Sequence, residues 1–159
     1  MISVKPGFAL LELVVVLSIL GVLLALSLPR LNPSEQAVAQ AARMLSEQVV
    51  RARLEAIRNN AFAGVHLFTE GAGGYAVFLD RNENRAYDPG EEVQLVRFGQ
   101  GDWAQVALDP AESSLGNLPL LFDPRGIPAK PIAGTWTLRS TSGHTRKVVI
   151  SQQGRARVE

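Results

Sequence analysis

From Phe8 to Leu28 the chain runs for 21 residues with Glu12 as the only ionisable side chain. Wound into a helix at 1.5 Å per residue, the run is about 31 Å long, the thickness of a bilayer's hydrocarbon core. It can span a membrane. A cleavable secretory signal is the alternative, with Lys5 as a weak basic flank and Ala25-Leu26-Ser27 as a loose fit to the small-residue cleavage rule. Against that alternative, the run exceeds the roughly 7–15 apolar residues of such a signal, and a signal has no use for a carboxylate at its N-terminal edge. An acid in a membrane helix costs about 2.5–3.5 kcal/mol at the centre and less near an end. Glu12 therefore needs a positive partner, and the run contains no basic residue. If the chain were cut between Gly7 and Phe8, the new α-amino group would lie about one helical turn from Glu12. In an assembly of copies a neighbour's amine would serve equally well.

The stretch Gly7-Phe8-Ala9-Leu10-Leu11-Glu12, followed by an apolar helix and Pro29, resembles the class III signal of type IV pilins and type II secretion pseudopilins. The resemblance implies removal of residues 1–7 by prepilin peptidase on the cytoplasmic side and methylation of the Phe8 amine. It also implies that Glu12 registers subunits during assembly. Ala9 stands where that family usually has Thr or Ser, while Gly7 and Glu12 are both kept.

Beyond the apolar run, Asn32-Pro33-Ser34-Glu35 reads as a helix start: a capping Asn, Pro at the first helical position and an acid three residues after the cap. Pro29 and Pro33 should interrupt the rod there. Val38, Ala42, Leu45, Val49, Ala52 and Ala56 then recur at alternating spacings of four and three, the period of a buried helical stripe. Arg43, Glu47, Arg51 and Glu55 alternate in sign every four residues, as on a solvated face. Asn59 and Asn60 are expected to stop the helix. From Ala61 the pattern changes to short β-rich runs: Val65–Thr69, Tyr75–Leu79, Val93–Phe98, Trp103–Leu108, Leu118–Phe122, Thr135–Ser140 and Lys147–Gln152, separated by Gly and Pro. The expected fold is α+β, a lollipop with a long N-terminal helix and an antiparallel β head. Its parts are a leader (1–7), an apolar filament-core or membrane helix (8–28), an amphipathic extension (29–60) and the β head (61–159).

Within the pilin-like proteins the chain most resembles the H-type pseudopilins and FimT-like minor pilins. The carrying residues are Ala41-Ala42-Arg43-Met44-Leu45 with Ala52-Arg53 and Ala56, the turn Phe122-Asp123-Pro124-Arg125-Gly126, and Arg146-Lys147-Val148-Val149-Ile150-Ser151 to Gly154-Arg155-Ala156-Arg157. Members of that subfamily are low-abundance filament subunits. The element Gly154-Arg155-Ala156-Arg157 is similar to the C-terminal element that binds DNA in FimT-type pilins during natural transformation.

Whole-chain charge is balanced, with 16 Lys and Arg against 15 Asp and Glu, but its distribution is not. Residues 70–123 carry three Arg against ten acids, a balance of −7, and residues 125–159 carry five Arg and two Lys against Glu159, a balance of +6. Arg146, Lys147, Gly154, Arg155 and Arg157, joined by Arg139, make up a basic end. Three readings of it compete. One is a solvated strand in a chain where 13 of the 16 basic residues are Arg. Another is docking of the basic end on the acidic segment of the next subunit. The last is weak, salt-sensitive, non-sequence-specific DNA binding through guanidinium groups. No aromatic residue is interleaved with these arginines to stack on single-stranded bases.

In Asp80-Arg81-Asn82-Glu83-Asn84-Arg85-Ala86-Tyr87-Asp88-Pro89-Gly90-Glu91, oxygen-bearing side chains (Asp80, Asn82, Asn84, Asp88 and Glu91) fall at loop positions 1, 3, 5, 9 and 12. That is the spacing of a Ca²⁺ loop. However, Arg85 stands where the sharp turn wants Gly, and strands rather than helices flank the loop, so a polar connector is the default. A chain without Cys has no disulfide, thiolate metal site or Cys nucleophile, and its two His lie 78 positions apart. No Ser sits in a nucleophile elbow, and Gly71-Ala72-Gly73-Gly74 lacks the Lys-Ser/Thr of a phosphate loop. The chain is therefore expected not to be an enzyme. With no nucleotide loop, any ATP-driven motor must be a separate protein.

The expected product is a single-pass subunit of a bacterial inner membrane, with its N-terminus cytoplasmic and its head on the other side. Its partners would be other pilins or pseudopilins through the N-terminal helix, prepilin peptidase and an inner-membrane assembly platform. DNA is the partner in one branch only. Type II secretion and a type IV pilus both fit, and an exported β-domain with an ordinary signal peptide is the alternative outside the family.

Overall fold

The structure, a computed structural model, describes residues 6–27 and 33–159, with side chains described for residues 10–24 and 33–159. It divides into a unit ending at Asn32 and a compact unit, Pro33–Glu159. Residues 1–5, Pro29 and the capping Asn32 lie outside the described residues.

Helix α1 (Pro6–Ser27) is apolar on every side. Twelve of its large apolar side chains between Leu10 and Leu24 are each 47–69% exposed. Among the described residues no helix is long and apolar enough to cross a membrane. The apolar sequence continues on both sides of residues 10–24.

Helix α2 (Pro33–Asn59) buries the expected stripe, with Val38, Ala42, Leu45, Val49, Ala52 and Ala56 all at most 1% exposed. Burying a side chain such as Leu45 or Val49 is worth roughly 1.5–3 kcal/mol. Alanines at 42, 52 and 56 let the sheets approach the helix closely. The helix stops as Asn59 and Asn60 imply. Asn60 takes φ +49, and the amides of Asn60 and Ala61 donate to the carbonyls of Ile57 (3.3 Å) and Ala56 (3.2 Å). Those two bonds are a Schellman cap, which satisfies the last carbonyls of the helix. Glu55 departs from the solvated face expected of it. It is buried, and its carboxylate accepts from Arg58 (2.8 Å) and from the side-chain amide of Asn59 (3.0 Å), so the helix end itself pairs the charge.

Two antiparallel four-stranded sheets share α2 as their common core partner. The strands are β1 (Ala63–Phe68), β2 (Gly74–Leu79), β3 (Glu92–Arg97), β4 (Val106–Asp109), β5 (Leu120–Phe122), β6 (Gly134–Ser140), β7 (Thr145–Ile150) and β8 (Ala156–Val158). The first sheet has the order β3-β2-β1-β5 and the second β4-β6-β7-β8. The fold is thus α+β, an N-terminal helix followed by antiparallel sheets, as the sequence implies. Two details differ. Trp103 lies in a 3₁₀ turn, Gly101–Trp103, rather than at the start of a strand. The last residues form an eighth strand that three residues of alternating Ala-Arg-Val are too short to announce. Trp136, Tyr75, Phe122, Leu67 and Leu138 fill the space between the sheets and α2.

Candidate functional site

At the N-terminus the backbone of Gly7 and Phe8 is helical, and the side chains of both lie outside the described set. Glu12 is exposed and makes no ion pair among the described residues. It is the one acid on an apolar helix with no water-facing side of its own.

The basic end does not form one patch. Arg146 and Lys147 are consecutive on β7, so they point to opposite faces of the sheet. Arg146 turns to α2, where its guanidinium donates to Glu35 at 3.2 Å. Lys147 lies on the outer face 3.5 Å from Glu112, and Arg157, opposite Val149, pairs with Glu159 at 2.5 Å. Arg139 pairs with Asp109. Among the described residues only Arg155 of this group has an exposed guanidinium with no side-chain partner. Exposed pairs like these contribute about 0–1 kcal/mol each, so their main effect is to neutralise charge that an anion would otherwise meet.

Gly154 is a packing residue. It sits at φ +69 in the turn from β7 to β8, and a Cβ there would meet Phe122 at 2.6 Å and Pro128 at 2.8 Å. Beside it, Arg53 of α2 donates to the carbonyls of Gln153 (2.6 Å) and Gly154 (3.2 Å), and its guanidinium lies 5.0 Å over the Phe122 ring. Gly126 closes the cluster, with Arg53 and Ile57 where its Cβ would go. The scattered motif residues Arg53, Phe122, Gly126 and Gly154 therefore meet at one joint, where α2 clamps the edges of both sheets. Nothing in the spacing of Arg53 singles it out as the centre of that joint, because its partners lie 69 or more positions away.

The five oxygen-bearing residues of the 80–91 loop are brought together, and their oxygens turn onto the loop itself. The buried carboxylate of Asp80 accepts the amides of Asn84 (3.2 Å) and Arg85 (2.8 Å), and Glu91 accepts the amide of Arg81 (2.9 Å). The side-chain amides of Asn82 (2.8 Å) and Asn84 (2.5 Å) donate to Asp88, holding its carboxyl below the usual range. Arg85 takes φ +61, the backbone conformation that a Gly would supply at the sharp turn. Among the described residues no group of three or more His, Asp and Glu could hold a metal ion.

Tyr87 anchors this loop on the outer face of the first sheet. Its ring stacks on His66 at 4.8 Å and meets Phe68 and Phe78 edge-on. Its hydroxyl donates to Glu92. Burial, reinforced by Glu92, pushes the Tyr87 hydroxyl up to about 12, and burial holds the His66 imidazole below its usual value. This aromatic clasp makes His66 a packing residue, the role that its apolar run Val65-His66-Leu67-Phe68 suggests.

Residues 41–154 match the model of a family described as the type II transport protein GspH. Arg155 and Arg157 fall just outside that match. Over 155 residues the chain is 67% identical to the Pilin-like protein PilA1 of Thermus thermophilus, covering 98% of this chain and 99% of that protein. The fold is similar to two crystal structures of the type IV minor pilin FimU of Pseudomonas aeruginosa. Their TM-scores are 0.52 and 0.50 at 18% and 20% identity, covering 76% and 77% of this chain and 91% and 87% of those chains.

Proposed function

Because the chain belongs to the GspH family of pilin-like proteins, we propose that it is stored in a membrane through α1, cut between Gly7 and Phe8, methylated on the Phe8 amine and assembled into a filament. It acts as a structural subunit, in either a type II secretion pseudopilus or a type IV pilus. The observation that carries the proposal is α1: twelve large apolar side chains, each at least 47% exposed, with Glu12 among them. Left in water at about half their full exposure, they would forfeit on the order of 1 kcal/mol apiece relative to full burial. Lipid covers them before assembly, and the helices of neighbouring copies cover them afterwards. A neighbour's Phe8 amine then neutralises Glu12 in an environment where an unpaired carboxylate is costly.

Helix α2 supports the same reading, since Val50, Leu54 and Ile57 form a second, outward apolar row, each at least 48% exposed. Mass spectrometry of native material tests the proposal. It should show a chain starting at methylated Phe8, and an intact Met1 or a start beyond Ser27 would falsify it. Glu12→Ala should leave cleavage intact and remove the subunit from purified filaments.

The second reading gives the basic end DNA as a partner. Arg155 is the observation in its favour, exposed and, among the described residues, without a side-chain partner beside the Gly154 turn. Binding of that kind is weak and falls steeply with salt. A gel shift at low salt should weaken more for Arg155→Gln than for Arg157→Gln, whose wild-type guanidinium is already paired. Equal retention by both variants and the unaltered protein would remove DNA from these residues.

A further inference from the structure

The segment 126–132, which follows β5, runs between two clefts. One, of about 370 Å³, is lined by Lys130 and Arg85 together with Leu118, Leu121 and Ile132. The other, of about 400 Å³, is lined by Arg155 and Arg53 together with Ile127 and Pro131. Lys130 belongs to the first and Pro131 to the second, so two adjacent residues, with Cα atoms ~3.8 Å apart, form the ridge that divides them. The ridge is held in place. The amide of Ala129 donates to the Leu121 carbonyl and that of Asp123 to the Ile127 carbonyl, both at 2.8 Å, and Pro128 packs on the Gly154 turn. Arg85 is fixed as well: the Asp80 carboxylate accepts its amide at 2.8 Å, its backbone takes φ +61, and its guanidinium lies 5.0 Å over the Phe62 ring.

Charge sets these clefts apart from the rest of the head. Arg58, Arg125, Arg139, Arg146, Lys147 and Arg157 each pair with an acid. Arg85, Lys130 and Arg155 are exposed with no ion pair among the described residues, and among those residues no Asp or Glu lines either cleft. Arg53 adds its charge to the wall of the second cleft, where its Nε is buried without a partner. No aromatic side chain lines either cleft, so unstacked bases would find no platform there. Cations left free on both sides of a rigid ridge, with no acid beside them, suit a partner that carries negative charge at regular intervals along a continuous backbone.

We propose that the two clefts form one phosphate track across the ridge, with Arg155 on one side and Lys130 and Arg85 on the other holding the backbone of duplex DNA. The inference rests on the DNA reading above and carries it beyond the C-terminal element, to two residues that no spacing in the sequence joins to Arg155. Because the ridge and Arg85 are fixed before the partner arrives, little ordering is left for binding to impose. The contacts are to phosphates, so they are indifferent to base sequence.

Fluorescence anisotropy of a short labelled duplex, titrated with the full-length protein in detergent at several salt concentrations, tests the track. Three phosphate contacts predict a slope of log affinity against log salt of about −3, whereas Arg155 acting by itself predicts about −1. Lys130→Gln, Arg85→Gln and Arg155→Gln should each bring the slope closer to zero by about 1. Arg43→Gln removes the same charge from an exposed position on α2 that lines neither cleft, and should leave the slope unchanged. Thermal melts of the same samples identify a variant that has lost its fold, and the exposed side chain of Lys130 carries the test if Arg85→Gln melts early. A slope near −1 for the unaltered protein overturns the inference and leaves the DNA reading intact. So does a result in which Arg155→Gln weakens binding while Lys130→Gln behaves like Arg43→Gln. Tighter binding of the separated strands than of the duplex also overturns it, and no binding by the unaltered protein at the lowest salt removes the DNA reading as well.

Discussion

A methyl group on Gly154 has nowhere to go, with Phe122 and Pro128 both inside 3.0 Å of it and the backbone at φ +69. Gly154→Ala should therefore destabilise the protein by about 1–3 kcal/mol. Gly143→Ala, also at positive φ but with nothing within 4 Å, should cost only the backbone strain. Urea titrations of the two variants separate packing from conformation. Arg53→Leu removes both bonds to the β7–β8 turn and should cost roughly 1–3 kcal/mol. The histidine at 66 acts through pH. Because burial lowers its folded value below 6.5, the unfolded chain binds a proton that the folded chain refuses. Stability is then fully present above about pH 6.5 and falls as the pH drops from there toward the folded value. Replacing His66 with Phe should flatten that part of the profile, and an unchanged slope would assign it to another group.

The helices and sheets were legible to different degrees. The buried stripe of α2 could be read residue by residue, because a 3.6-residue period depends only on neighbours a few positions apart. Glu55 could not, since its alternation in charge with Arg51 points outward while its place three residues after Ala52 and next to Ala56 sets it at the edge of the buried stripe. The 80–91 loop shows the limit of spacing as evidence. Side-chain oxygens every second residue serve a bound cation or a set of Asx turns equally well, and here they accept the loop's own amides. With those acceptors already engaged, the melting temperature should be the same in calcium and in chelator. A rise of several degrees with calcium would assign an ion to Asp80, Asn82, Asn84, Asp88 and Glu91. The acid limb is a separate matter. Asp88 and Glu92 titrate below their usual values because of the hydrogen bonds made by Asn82, Asn84 and Tyr87. The stability they add is present above their unfolded pKa values and is lost as the pH falls through the folded ones.

Across the complete chain, the two units answer to different surroundings. The C-terminal unit encloses its own core, from Val38 to Ile150, and should remain cooperative in water when truncated before Pro33, as a single calorimetric transition would show. The N-terminal helix has no core of its own, so adding it back should bring detergent dependence or association and little change in that transition.

Local and compositional features were already written along the chain: a greasy run with one acid near its start, an amphipathic helix with its stop signals, and the approximate place of seven of the eight strands. Each depends on residues within a few positions of one another, so the chain displays it before folding. Folding alone decided which residues with long separations meet. It gave most of the basic C-terminal end acidic partners and left Arg155 without one among the described residues, made Gly154 a packing contact, and gathered Arg53, Phe122, Gly126 and Gly154 into one joint. Pairings of that kind depend on how two sheets close around α2, and no period or spacing along the chain encodes that closure.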